Sequence, residues 1–242
     1  MAVNTNVLRR PSDRNLFLWT AVLFPLFVLF GYFKSYYFSV FFDVKAVANA
    51  LVHAHGIIMT LWVVYFVAQV ALIRSKNIKL HMTMGMVGIA LAAIVVIVGM
   101  ATAYDAMLLR GSAPPGINPY SFFMLPVGDM AMFVLFFAGA VYYRKRPAEH
   151  KTLMLMTAIN FLPAALARAS FIPGEYLVLW MFGVSGVIAV ICFAWYTLKH
   201  RKLNKVFLIA VILFTTTVPP RMAFAETQIW LQFVGWLAGL SQ

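Results

Sequence analysis

The chain has 242 residues, of which 63% are hydrophobic and 11% are charged, and its formal net charge is +12. This composition excludes an ordinary soluble domain and indicates a polytopic membrane protein. Alternating strands joined by hairpin turns are absent, which argues against an outer-membrane barrel. The basic residues cluster beside apolar runs, so the expected partner is the lipid bilayer and no nucleic-acid partner is expected.

Seven apolar runs of about 20 residues, the length that a membrane-spanning helix needs, follow one another along the chain. The sequence therefore predicts an all-α bundle of about seven spans in one membrane domain, residues 1–242. The predicted spans are 16–33, 51–73, 82–106, 121–143, 153–172, 176–198 and 206–225. The stretch 226–240 is shorter and contains Trp230 and Trp236, which favours an interfacial helix; an eighth crossing is the alternative.

Most of the 19 basic residues precede the first span or follow the second, fourth and sixth spans. With seven spans these segments share one side, and the positive-inside rule then predicts a cytoplasmic N-terminus and an external C-terminus in a bacterial inner membrane. No small-residue cleavage site follows the first run, which predicts an uncleaved anchor. The basic residues concerned are Arg9, Arg10, Arg14, Arg74, Lys76, Lys79, Arg144, Lys145, Arg146, Lys151, Lys199, Arg201, Lys202 and Lys205.

Two charges, Asp129 and Arg168, lie inside apolar runs. A charge at membrane depth is costly and marks either a functional site or a compensating pair. The sequence predicts a buried ion pair between Asp129 and Arg168. Whether this pair is functional or only a structural brace stays open at this point.

Other polar residues are predicted near the outer ends of the helices, at a depth similar to that of this pair. Together they would form a polar layer that faces outward. These residues are His53, His55, Asp105 and Arg221. Because His53 and His55 are two positions apart, they point about 200° apart on a helix, and only one of them can serve the layer. One hypothesis is a transition-metal site formed by His55, Asp105 and Asp129.

A second hypothesis places a b-type haem in the same layer. His53 or His55 would bind the iron, with a methionine, water or nothing on the other side, and Arg168 and Arg221 would hold the propionates. The alternatives are that the histidines are ordinary interfacial residues and that the arginines extend to the headgroups.

Two further histidines follow short basic loops at the predicted cytoplasmic face. The runs His81-Met82-Thr83-Met84 and His150-Lys151-Thr152-Leu153-Met154 are alike, which suggests a degenerate duplicated hairpin. His81 and His150 could form a two-histidine site, with Glu149 as a further candidate. Interfacial histidines at helix starts are the alternative.

These histidine-initiated helices, together with the His53-Ala54-His55-Gly56 run, give the chain a resemblance to small uncharacterised bacterial inner-membrane proteins. More distantly, the chain is similar to cytochrome b561-like bundles. The resemblance covers the second to fifth predicted helices. It implies b-type haem held by helix-borne histidines, for which His81 and His150 are further candidates.

The leading hypothesis for function is a membrane protein that binds haem or a metal ion in a redox role and passes electrons to a partner. The alternatives are a transporter or channel subunit for a small polar or anionic solute, and an accessory or assembly subunit that docks another membrane protein. The only cysteine, Cys192, excludes an intramolecular disulfide and a cysteine-rich metal site. Whether the protein is an enzyme is not decided by the sequence.

Overall fold

The computed structural model describes residues 14–42, 49–168 and 174–240, and all regular structure within those ranges is helical. This confirms the all-α prediction. The α-helices of the described ranges are α1 (Arg14–Tyr32), α2 (Ala50–Arg74), α3 (Ile78–Tyr104), α4 (Pro119–Phe122), α5 (Met124–Tyr142), α6 (Pro147–Ile159), α7 (Leu162–Leu166), α8 (Leu177–His200), α9 (Lys205–Thr216), α10 (Val218–Ala225) and α11 (Gln228–Gly239).

Six segments of the described chain are helical, long and apolar enough to cross a membrane, which makes this a multi-pass membrane protein. They are Asn15–Tyr37, Ala50–Arg74, Ile78–Leu109, Pro119–Lys145, Leu177–His200 and Lys205–Ala225. They match six of the seven predicted spans. Large apolar side chains such as Phe30, Ile97 and Val187 are exposed on their outer faces, as expected for surfaces that contact lipid rather than water.

The predicted fifth span, 153–172, is not one continuous helix. Its residues 169–172 lie outside the described ranges, and residues 153–166 belong to α6 and α7, with Asn160 and Phe161 between them. Pro163 explains the interruption, because it has no N–H to donate to the Ile159 carbonyl and its ring would clash with that carbonyl in a continuous helix.

The interrupted helix α6–α7 forms the centre of the bundle. Nearly every side chain from Thr152 to Leu166 is buried, against α1, α5, α8 and α9. At one end His150 contacts the Ala140 carbonyl near the end of α5. At the other end Gly31 of α1 faces the Ala165 backbone, where a Cβ on Gly31 would overlap it. The segment therefore runs from one end of the bundle to the other.

A second interruption separates α9 from α10. α9 ends at Thr216 and α10 begins at Val218. Pro219 and Pro220 cannot donate to the carbonyls one turn earlier, so the regular helical ladder stops there. The Thr216 hydroxyl donates to the Ile212 carbonyl at 2.7 Å, which adds a bond within the last turn of α9.

The turns that join α2 to α3, α5 to α6 and α8 to α9, together with the helix ends beside them, carry 11 of the 19 basic residues, and we call this side the basic end. Asn77 and Asn204 cap α3 and α9 there, and Lys76 and Arg201 take left-handed backbone angles, with φ of 61° and 48°. Arg9 and Arg10 lie outside the described residues. The opposite side, which contains the 3₁₀ turn Ser39–Phe42, is called the aromatic end.

The last helix, α11, packs across the aromatic end. Trp230 Nε1 donates to the Tyr120 carbonyl at 2.9 Å, and the Tyr104 hydroxyl donates to the Leu237 carbonyl at 2.9 Å. With 12 residues, α11 is about 18 Å long, too short to cross a hydrocarbon core of about 30 Å. The stretch 226–240 is not among the six membrane-length segments.

Candidate functional site

Asp129 and Arg221 form a largely buried ion pair between α5 and α10. Arg221 Nη1 donates to Asp129 Oδ1 at 3.0 Å, and the two side chains are 12% exposed for Arg221 and 16% for Asp129. Asp129 is about 15 Å from the start of its membrane-length segment, which begins at Pro119. The pair therefore lies well inside the bundle, where each charge is compensated by its partner rather than by water.

Neighbouring groups hold the Arg221 guanidinium in place. Its Nε donates to the Thr217 carbonyl at 3.3 Å, and its planar group lies over the Phe182 ring, 5.5 Å from the ring centroid. Gly128 is essential to this arrangement, because a Cβ at that position would overlap Arg221 Nη1. The absence of a side chain at Gly128 thus leaves the space that the Arg221 guanidinium occupies.

Asn160, at the interruption between α6 and α7, completes the site. Its Nδ2 donates to the Asp129 carbonyl at 2.9 Å, and the residue is only 1% exposed. The contact joins the interrupted central helix to the helix that carries the acidic residue. Asn160 and Arg221 both stand next to breaks in helices, so two interrupted segments meet at Asp129.

Two buried polar atoms at this site have no hydrogen-bond partner among the described residues: Asn160 Oδ1 and Arg221 Nη2. Leaving a buried polar atom unpaired costs about 1–3 kcal/mol, and more for a charged group. Native proteins keep such atoms where a bound group satisfies them or where they serve a function. Asn160 Oδ1 is thus a neutral acceptor, and Arg221 Nη2 a cationic donor, without a hydrogen-bond partner among the described residues.

The predicted ion pair between Asp129 and Arg168 is wrong, since Asp129 is paired with Arg221. Arg168 is exposed, its guanidinium lies 4.4 Å from the centroid of the Tyr32 ring, and its Nη1 donates to the Ala164 carbonyl at 3.3 Å. The physical reason is the early end of α7 at Leu166, which leaves Arg168 beyond the helix and beside the end of α1.

The two outer histidines have different surroundings. His53 is exposed, its ring lies 6.0 Å from that of Tyr36, and its carbonyl accepts the Tyr36 hydroxyl at 3.3 Å. His55 is half-buried and faces α3, where a Cβ on Gly99 would lie 4.0 Å from His55 Cε1 and 3.3 Å from Met130 Sδ. Of the two histidines, His55 alone points into the bundle.

Asp105 belongs to the aromatic end rather than to the Asp129 site. Its Oδ2 lies 2.6 Å from Arg110 Nη2 and accepts Asn49 Nδ2 at 3.0 Å. Within the described ranges no three His, Cys, Asp or Glu side chains are grouped to hold a metal ion. The structure therefore does not assemble the predicted site of His55, Asp105 and Asp129, because both carboxylates are engaged by different arginines.

His81 and His150 meet at the basic end. Their ring centroids are 6.3 Å apart and the ring planes are inclined by 77°. His150 Nδ1 lies 2.8 Å from the Ala140 carbonyl, whereas His81 Nδ1 is buried with no hydrogen-bond partner in the described structure. The two helix starts that the sequence singles out are thus neighbours.

Gly128, Asn160 and Phe182 are site residues that the sequence analysis missed. A polar residue three positions before Pro163, inside an apolar run, is the available signal for Asn160, whereas nothing in the sequence marks Gly128 or Phe182. Comparisons with family models, curated proteins and solved structures found no match to this chain. The similarity to cytochrome b561-like bundles stays a prediction.

Proposed function

We propose that this chain is a seven-span protein of the bacterial inner membrane that binds and moves a small polar or anionic solute. In this topology α6–α7 is the fifth span, the N-terminus and the basic end face the cytoplasm, and the C-terminus is external. The clustering of basic residues at one end supports this orientation. The Asp129–Arg221–Asn160 site then lies in the outer half.

The observation that carries the proposal is a buried ion pair at the meeting point of two interrupted helices. Transporters commonly bind their substrates and coupling ions near the membrane midplane, at discontinuous helices whose backbone is not locked into a regular ladder. Asp129 lies between the α6–α7 and α9–α10 interruptions. The arrangement therefore combines a charged binding site with segments able to change their angle.

The unpaired atoms define the class of solute. Arg221 Nη2 is a cationic donor and suits a carboxylate or another small anionic group. Asn160 Oδ1 is an acceptor and suits a hydroxyl or an amine on the same molecule. The solute that satisfies both atoms is small and bears an acidic group and a donor, as in hydroxy acids and amino acids.

Binding such a solute alters the ion pair itself. The acidic group of the solute and Asp129 compete for one guanidinium, so occupancy of the site weakens the link between α5 and α10. The freed Asp129 is then available to take a proton, which keeps the charge of the site constant. Solute movement and proton movement are thereby coupled at one side chain.

Transport by the purified protein in liposomes tests this proposal. Vesicles that contain a pH-sensitive dye are exposed in turn to small hydroxy acids, amino acids and inorganic phosphate. The wild type should change the internal pH with at least one solute class, and Asp129→Asn should abolish the change. The matched control Glu226→Gln alters an acidic residue outside the site and should retain it. Equal signals from wild type and Asp129→Asn would show that the pair is only a brace.

The haem or metal hypothesis is tested on the same preparation. An absorption spectrum with a Soret band, or stoichiometric metal lost in His55→Ala, would favour a cofactor at the outer layer over solute transport. A colourless, metal-free and folded protein would exclude it.

A further inference from the structure

We propose that His81 and His150 bind one Cu(I) ion between them at the basic end, as a site separate from the Asp129 site. Each histidine is the fourth residue of its helix, α3 or α6. Both rings are half-buried, and the two helices come from different hairpins, so the fold and not the local sequence brings the rings together.

The distance between the rings fits a shared two-coordinate ion. A metal lies about 2.0 Å from an imidazole nitrogen and therefore about 3 Å from the ring centroid. Two rings on opposite sides of one ion have centroids about 6 Å apart, and two rings at a tetrahedral angle about 5 Å. The observed 6.3 Å corresponds to the near-linear arrangement, which d¹⁰ Cu(I) accepts.

The hydrogen bonds of the rings leave nitrogens available for a metal. A carbonyl can only accept, so the short contact with Ala140 makes His150 Nδ1 the protonated nitrogen and leaves the lone pair on Nε2. Metal-binding histidines typically donate their second nitrogen to such a carbonyl. His81 Nδ1, which is buried and has no hydrogen-bond partner among the described residues, is the matching group on the other helix.

Methionines on the same helix faces and the ligand number favour Cu(I) over divalent ions. Met84 and Met154 follow their histidines by three and four residues and so lie on the same helix faces. Imidazole and thioether ligands suit Cu(I), whereas Zn²⁺ takes four ligands. No third His, Cys, Asp or Glu of the described chain joins the pair, and the surrounding lysines and arginines disfavour a doubly charged ion.

Competition with bicinchoninate measures the site. Purified full-length protein is titrated without oxygen into the coloured Cu(I)–bicinchoninate complex, and the wild type should withdraw one equivalent of copper. His81→Ala and His150→Ala should each weaken binding by more than the 10–100-fold typical for loss of an outer-sphere partner. His53→Ala, which changes an exposed histidine at the other end, should bind like the wild type.

Met84→Leu keeps the size of the side chain and should retain one equivalent at an affinity close to that of the wild type, because the two histidines are the ligands. X-ray absorption at the copper edge should show two nitrogen ligands at about 2.0 Å. The proposal is overturned if the wild type withdraws no copper, if both histidine variants remain folded and bind unchanged, or if the purified protein carries a Soret band that both variants lose. Circular dichroism and gel filtration establish that each variant is folded.

Discussion

The Asp129 site lies inside the bundle and the histidine pair lies at the basic end, and the two differ in how the fold supports them. Asp129, Asn160 and Arg221 are held at two interruptions in the helical framework. His81 and His150 occupy the first turns of helices that begin at short turns. The first arrangement is able to change shape when a ligand binds, whereas the second fixes the distance between its two side chains. A site that moves a solute needs an arrangement that can change shape, whereas a site for a small ion needs a fixed distance between its ligands.

The largest effect is expected from breaking the Asp129–Arg221 pair. Asp129→Ala leaves a buried arginine without its counter-charge and should lower the free energy of unfolding by about 3–5 kcal/mol. The double variant Asp129→Leu, Arg221→Met removes both charges and should recover most of that loss. Unfolding in mixed micelles measures both, and a single variant as stable as the wild type would contradict the buried pair.

Gly128→Ala should have the next largest effect, because the added methyl group overlaps the Arg221 guanidinium. Overpacking of this kind costs about 1–3 kcal/mol, and solute transport should fall with it while Cu(I) affinity stays constant. Gly85→Ala is the matched control, since a Cβ there meets nothing within 4 Å and alanine favours the helix by up to about 1 kcal/mol. Loss of Cu(I) binding in Gly128→Ala would show that the two ends are coupled.

Arg168→Ala should have the smallest effect. Its cation–π contact with Tyr32 is exposed, and such contacts contribute about 0.5–1 kcal/mol. The same unfolding measurement checks this value. A loss as large as that of Asp129→Ala would mean that Arg168, and not Arg221, neutralises the acidic residue.

The helical class and six of the spans could be predicted because a helix that crosses lipid needs a long run of apolar residues, and such runs are visible in the sequence. The helix boundaries in the structure differ from the predicted ones by several residues. α3 begins at Ile78 rather than residue 82, since Asn77 caps it, and this places His81 inside the first turn. α6 likewise begins before residue 153, at Pro147.

The partner of Asp129 could not be predicted, because the sequence contains two candidate arginines and does not state which helices are neighbours. Both Asp129 and Arg168 lie inside apolar runs, which favours pairing them, but the break at Pro163 ends that helix at Leu166, before Arg168. The proximity of His81 and His150 was anticipated only through the likeness of their sequence runs. Their 6.3 Å separation depends on packing between hairpins.

The buried helix α6–α7 also bears on how the protein enters the membrane. Its polar residues, including Thr152, Thr157 and Asn160, are shielded by helices on both sides in the sequence, and polar side chains reduce the tendency of a segment to partition from the translocon into lipid. We expect this segment to remain at the translocon until α8 and α9 have been synthesised. The peripheral helices of the bundle would then enter the lipid first, and the central helix α6–α7 would follow them.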